Sequence, residues 1–277
     1  MEPLYTPSRV KPAYQLRWSL ALFAKSQLPP VESWLPDLKE AVERDTVRIL
    51  EVQSRPSNVW QFYLSTQPRI VPPQIVKSVK GRLQHLLRPT TPDAFRRNFS
   101  LAAVGDARRD VVEGYVASQL GHHRMADSRV QTTLERYQLQ FPEADLAERQ
   151  LSSHGTYVYS LHLVLVHEGR WKETRDAQLD VTRDMALRAA RQKQHRLSRL
   201  SVLSDHLHLV AGIPFDHSPE QVALGYMNNL AFAHDMQAIF CPSYYVGTVG
   251  EYDTGAIWTS LASNRGSTDT GSVETAR

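Results

Sequence analysis

The stretch "SVLSDHLHLVAGIPFDHSPEQV", residues 201–222, contains the pattern that decides the fold. The segment "HLHLVAGI" is typical of a buried strand, and the segment that "SPEQV" opens predicts a helix. His206 and His208 are one residue apart on that strand, and strand side chains alternate between the two faces. Both imidazoles therefore point to the same face.

The same order of features occurs earlier in the chain. The segment "FRRNFSLAAVG" at 95–105 aligns with "FCPSYYVGTVG" at 240–250, an offset of 145 residues. Upstream, "PSNVWQFYLS" at 56–65 aligns with "SDHLHLVAGI" at 204–213, and the helix opening "PPQIV" aligns with "SPEQV". Three matches in one order predict a tandem duplication.

Each copy predicts the element order strand, helix, two strands, helix and strand. Antiparallel strands with helices packed on one face are the architecture that this order favours, which is an α+β fold. The two copies are predicted to pack as a pseudo-dimer about an approximate two-fold axis, because pairing covers exposed sheet edges. The predicted boundaries are 1–120 for the first domain, 121–155 for a polar linker, 156–260 for the second domain and 261–277 for a disordered tail.

Composition and charge restrict the class of protein. The chain has 277 residues, 42% of them hydrophobic, and a formal net charge of +3, which is a weak indication of polyanion binding. Cys241 is the sole cysteine, so an intrachain disulfide is excluded and a reducing compartment is expected. No apolar run approaches the roughly 18 residues of a membrane span, and the first residues lack a signal-peptide core. We expect a cytoplasmic protein without a membrane partner.

The two copies differ where chemistry is expected. The first copy has Asn58 and Trp60 where the second has His206 and His208. The first copy then continues into "DARRDVVEGYVASQLGHH", which predicts an amphipathic helix carrying Tyr115, whereas the second continues into "EYDTGAIWTSLASNRG". Each copy therefore holds what the other lacks.

These features together resemble a known family. A histidine–hydrophobe–histidine strand, a helix opened by "SPEQV", the strand "SYYVGTVG" and a helix bearing Tyr-x-x-x-Gln are similar to the single-tyrosine HUH transposases of small bacterial insertion sequences and their REP-associated relatives. The resemblance covers most of 13–121 and 156–258 and implies two tandem ferredoxin-like HUH domains. Members of that family are homodimers in which the tyrosine helix of one subunit docks against the histidine pair of the other. The resemblance therefore implies one composite site within this single chain, with Tyr115 as nucleophile and the chain acting as a monomer.

The chemistry of this predicted site follows from its residue types. Tyr115 and Gln119 are four residues apart and share one face of a helix. The imidazoles of His206 and His208 and the amide oxygen of Gln119 form a three-ligand set with open positions, suited to Mg²⁺ or Mn²⁺. Such a metal polarises a phosphate while the tyrosine oxygen attacks it, and the products are a covalent phosphotyrosine and a free 3′-OH. The expected activity is nicking and rejoining of single-stranded DNA that carries a hairpin.

Basic residues of the first copy are the candidates for DNA contact. In the family, the helix after the hairpin of strands contributes to binding a folded DNA hairpin, and the matching helix of the second copy here has no lysine or arginine. Hairpin binding is therefore predicted on one arm only. The candidate residues are Lys77, Lys80, Arg82, Arg88, Arg96, Arg97, Arg108 and Arg109.

Other interpretations of the same residues stay open. A histidine pair on a strand is often structural and satisfied by hydrogen bonds, and Tyr115 alone is typical of an ordinary helix aromatic. Tyr252 is a rival nucleophile, whereas Tyr244 and Tyr245 are better explained as strand packing. The competing functions are a protein that binds a DNA or RNA hairpin without cutting it and a purely structural tandem protein. The remaining histidines that we interpret as surface or core residues are His162, His167, His217 and His234.

Overall fold

The computed structural model describes residues 2–122, 125 and 127–251, so Tyr252 and the predicted tail lie outside the described residues. Helices and two mixed sheets confirm the α+β class. The strands are β1 Lys11–Gln15, β2 Arg17–Ala24, β3 Val47–Arg55, β4 Val59–Thr66, β5 Phe95–Val104, β6 Gln138–Gln140, β7 Gln150–Ser152, β8 Gly155–Val158, β9 Ser160–Val166, β10 Arg196–Val202, β11 His206–Gly212 and β12 Ser243–Val249. The α-helices are α1 Leu35–Glu43, α2 Pro72–Val76, α3 Arg82–Leu87, α4 Arg109–His122, α5 Ser128–Glu135, α6 Asp176–Gln192 and α7 Pro219–Ala233, with a π-helical segment, Lys77–Gly81, joining α2 to α3.

Both halves are built on the same strand–helix–strand–strand–helix–strand core. In the first half the sheet order is β3-β4-β2-β5, and in the second it is β10-β11-β9-β12. Strand β2 alternates between buried and partly buried residues because one face of its sheet packs against the helices. Helix α7 begins at a capping box, in which Ser218 and Gln221 each accept a hydrogen bond from the backbone N–H of the other. None of the helices within the described ranges is long and apolar enough to cross a membrane.

The first strand of each half pairs with the sheet of the other half. Strand β1 pairs in parallel with β12, and strand β8 pairs in parallel with β5. After β1 the chain crosses at Leu16 and enters the sheet of the first half as β2. After β8 it crosses at Tyr159 and enters the sheet of the second half as β9. The prediction of purely antiparallel sheets is therefore wrong: both sheets are mixed, because the exchanged strands run parallel to their new neighbours.

The two sheets meet at the ends of β5 and β12. The hydroxyl of Thr248 donates a hydrogen bond to the Val104 carbonyl (2.6 Å) and accepts one from the backbone N–H of Arg17 (2.9 Å). A Cβ atom at Gly250 would overlap the carbonyl of Ala103, so only glycine permits this approach. Across the same contact the rings of Trp18 and Tyr159 lie 5.1 Å apart. Most of the buried apolar residues of both halves form one continuous core, and Val116, Leu146 and Val210 form a second, small cluster.

The segment 121–155 is not a simple linker. Besides α5 it supplies β6, which pairs with β10, and β7, which pairs with β8. Tyr137, just before β6, is fully buried, and its hydroxyl donates to Asp176 and Asp180 at the start of α6. These short strands could not be predicted because the segment is polar. Each of them is an edge strand of its sheet.

Strand pairing changes which residues of the first half correspond to the histidine pair. Gln61 pairs with Ala21 of β2, and His208 pairs with Val164 at the equivalent position of β9. Gln61 is therefore the equivalent of His208, and Val59 is the equivalent of His206. The alignment of Asn58 and Trp60 with the histidines is therefore wrong by one residue. The cause is the β3–β4 turn, where three residues separate the last paired positions, against four in the β10–β11 turn.

Candidate functional site

Helix α4 of the first half lies against the sheet of the second half. It starts where the backbone N–H of Arg109 donates to the Gly250 carbonyl (2.9 Å), directly after the contact between the sheets. Val116, on its buried face, packs with Val210 of β11 and with Leu146. The sheet contact therefore fixes where the helix crosses the second half.

The crossing places the predicted nucleophile beside the histidine pair. The ring of Tyr115 lies 5.9 Å from that of His208 and 6.3 Å from that of His162, both edge to face. The Tyr115 residue is 49% exposed. A cavity of about 600 Å³ opens here, and its lining includes Tyr115, Gln119, His162, His206, His208 and Tyr245. The structure thus gathers all four predicted site residues around one cavity.

Each ring of the histidine pair is held at its Nδ1 atom by a neighbouring side chain. His206 Nδ1 lies 2.6 Å from the carboxylate of Asp205, which also accepts a hydrogen bond from Arg170 (3.1 Å). Burial acts to raise the pKa of Asp205, but the hydrogen bonds and charges of His206 and Arg170 keep the pKa below its usual value. His208 Nδ1 lies 3.0 Å from Nε2 of His162. Burial lowers the pKa of His162 to about 4, so this ring is neutral at physiological pH.

The residues present fit a divalent cation of the Mn²⁺ or Mg²⁺ type. Metal-binding histidines usually hold their second ring nitrogen against a carboxylate or another polar partner, and both His206 and His208 have such a partner. The Gln119 amide is 2% exposed and donates from Nε2 to the Tyr115 carbonyl (3.2 Å), so Oε1 is the atom of this amide that could bind a cation. Within the described residues, no group of three or more histidine, cysteine, aspartate or glutamate side chains could hold a metal ion by itself.

Two aromatic side chains of the cavity were not predicted as site residues. His162 was interpreted as a surface or core residue, yet its ring stacks on His208 at 5.3 Å between centroids. Tyr245, interpreted as strand packing, lines the cavity with its ring 5.8 Å from that of His162. Burial, helped by the charge of Asp106, raises the pKa of the Tyr245 phenol. Tyr244 points into the core instead and is buried.

The predicted DNA-contacting residues do not all share one surface in the structure, and Arg109 lies partly buried at the start of α4. Arg82 is held by Asp45 through two hydrogen bonds of 2.7 and 2.8 Å, which lower the pKa of Asp45 to about 2, and Arg108 pairs with Asp110. Arg88 and Arg96 are exposed elsewhere on the first half. The residues that share one surface are Lys77, Lys80 and Arg97.

That surface, which we call the aromatic groove, is a cavity of about 770 Å³ beside the first-half helix. Its floor is a run of three rings: Phe99 stacks on Phe215 at 6.0 Å, and Tyr157 lies 4.7 Å from Phe215. On its rim, Arg97 lies 3.0 Å from the imidazole of His154, and Lys80 donates to the Arg97 carbonyl (2.6 Å). Phe215 comes from the second half, so both halves build the groove.

Comparisons with known proteins add little to this description. No protein-family model matches the chain, and no curated protein matches it. Among solved structures, it is similar to one described as "Crystal structure of putative glycine cleavage system transcriptional repressor", with 10% identity over 85% of this chain and 98% of the other. The TM-score of 0.23 is too low to support an argument about fold or function.

Proposed function

We propose that the protein is a tyrosine-dependent HUH-type nuclease that nicks and rejoins single-stranded DNA at one composite site. The observation that carries the proposal is the position of Tyr115, on a helix of the first half, 5.9 Å from the ring of His208 in the second half. The repeated core of each half, with the order four-one-three-two in its sheet, agrees with tandem ferredoxin-like domains. Because both parts of the site belong to one chain, a monomer suffices for activity.

The residues of the cavity divide the reaction between them. The Tyr115 hydroxyl loses its proton to water at its exposed side, and its oxygen attacks the phosphorus of a phosphodiester. The bond from phosphorus to the 3′ oxygen breaks, that oxygen takes up a proton, and the 5′ phosphate stays on Tyr115. His206, His208 and Gln119 would hold a divalent cation, which when bound supplies positive charge to the phosphate oxygens. Asp205 keeps the His206 ring in place.

The aromatic groove supports DNA as the substrate. Stacking of bases on aromatic rings tolerates any sequence, and each stacked base contributes on the order of 1–3 kcal/mol. Lys77, Lys80 and Arg97 add positive charge beside the rings for phosphates. We assign the hairpin to this groove, and the groove also favours a second candidate function, the binding of a DNA or RNA hairpin without cleavage.

A covalent-adduct assay tests the nuclease. The full chain is incubated with a panel of hairpin-bearing single-stranded DNAs and Mn²⁺, and a denaturing gel reports a DNA–protein adduct. Tyr115→Phe is expected to abolish the adduct while the protein still binds the hairpin. Tyr245→Phe, in the same cavity, and Tyr252→Phe are matched controls that should keep it.

The same assay separates the candidates. An adduct that survives Tyr115→Phe and maps to Tyr245 or Tyr252 would contradict the composite site. Tight hairpin binding by the parent protein with no adduct on any DNA of the panel would favour the binding protein over the nuclease.

A further inference from the structure

The bond between His162 and His208 has a counterpart in the other half. Strand pairing makes Ser19 the equivalent of His162 and Gln61 the equivalent of His208. Gln61 donates a hydrogen bond from its amide nitrogen to the hydroxyl of Ser19. Each half therefore joins the same two strand positions by a side-chain hydrogen bond, although the chemistry of the pair differs completely.

From this pair we infer that His162 is a positioning residue, which accepts a hydrogen bond from Nδ1 of His208 and so keeps the lone pair of that ring on Nε2. The inference rests on the proposed function, because it matters only if His208 binds a metal. Sequence reasoning could not assign this role, since the two histidines are 46 residues apart and meet diagonally across two strands.

The geometry leaves two arrangements for the proton between the rings. In a hydrogen bond between two ring nitrogens one nitrogen carries the hydrogen and the other accepts it, and a neutral ring has a single N–H to place. If His162 donates, Nε2 of His208 carries the proton of that ring and cannot bind a cation. If His208 donates, its Nε2 has the lone pair that a metal requires.

Two observations favour donation by His208. In the first half the equivalent of His208, Gln61, is the donor and the equivalent of His162 is the acceptor. In the second half, the carboxylate of Asp205 can only accept from His206 Nδ1 at 2.6 Å, so His206 carries its proton on Nδ1. If His208 has the same tautomer as His206, the nitrogen with the lone pair for a metal is Nε2 in both rings.

Nuclear magnetic resonance of the metal-free, DNA-free full chain tests this. Long-range proton–nitrogen correlations in the ¹⁵N-labelled protein report the tautomer of His208 at neutral pH. The parent should show a protonated Nδ1. His162→Leu removes the acceptor and should give a mixture containing the Nε2–H tautomer, whereas His162→Gln offers an amide oxygen near the former Nε2 and should restore the parent state. Ser19→Ala, which removes the equivalent bond in the first half, should change nothing.

Metal binding gives the second measurement. Mn²⁺ affinity should fall about 10- to 100-fold in His162→Leu, the range for loss of an orienting partner, and should recover in His162→Gln. A parent protein with His208 protonated on Nε2, or an unchanged tautomer in a folded His162→Leu variant, would overturn the inference. Absence of a DNA adduct from the parent would instead count against the nuclease, because the tautomer is read without DNA.

Discussion

Replacing Thr248 by valine tests whether the contact between the sheets holds the two halves together. Thr248 is 4% exposed, and its hydroxyl bridges the Val104 carbonyl and the backbone N–H of Arg17. Valine has nearly the same shape but cannot make either bond. A buried polar group left without its partner costs on the order of 1–3 kcal/mol, and the added methyl group returns about 0.8 kcal/mol.

The two losses and the one gain predict a net destabilisation of about 1–5 kcal/mol, against a typical free energy of unfolding of about 5–15 kcal/mol. Urea denaturation of the parent and Thr248→Val at pH 7 measures it. The matched control is Thr156→Val on β8, where the hydroxyl is half-buried and donates to Ser100 at 3.3 Å. We expect the control to lose about 1 kcal/mol or less. A loss below about 1 kcal/mol in Thr248→Val, or a loss equal to that of the control, would refute the reasoning.

Three further predictions concern the site, the groove and acid stability. His206→Ala and His208→Ala should each abolish the covalent adduct while hairpin affinity stays within a few fold, as a gel assay beside a filter-binding assay would show; retained cleavage in the double variant would exclude the metal site. Phe215→Ala should weaken hairpin binding by about 1–3 kcal/mol in a fluorescence titration. Arg97→Ala should weaken the same binding and also reduce the salt dependence of the affinity. Unchanged affinity in both variants would mean that the DNA binds elsewhere. Burial lowers the pKa of both His195 and His162 from 6.5 to about 4, so the unfolded state binds more protons between these values, and each ring should cost the parent about 2 kcal/mol of stability from pH 7 to pH 5; His195→Gln should remove the part that His195 contributes, about 2 kcal/mol, and leave the rest.

The sequence could predict the parts of the fold that depend on the local periodicity of apolar residues. Alternating and helical patterns gave the element order of both halves, and the repeat gave their equivalence. The partner of a strand, by contrast, is set by residues far away in the chain. The segment 13–24 therefore predicted one strand, while the structure divides it at Leu16 between two sheets.

The candidate site was likewise predictable only in part. Tyr115, Gln119, His206 and His208 were found because each copy lacked what the other had, and the structure places all four around one cavity. Their catalytic roles stay predictions. The one-residue error at Trp60 arose because the length of a turn sets register, and no local pattern fixes it. His162 gave no signal in sequence, because its position relative to His208 depends on the register of two neighbouring strands.

The exchange of first strands also determines when the protein can finish folding. During synthesis β1 leaves the ribosome well before its partner β12, which lies at the other end of the described strands. Until then β1 has an open edge and can pair with the strand of another molecule. Contacts between such distant segments also form slowly. A nascent chain of this kind depends on completing β12, and any truncation before Ser243 would release β1 permanently.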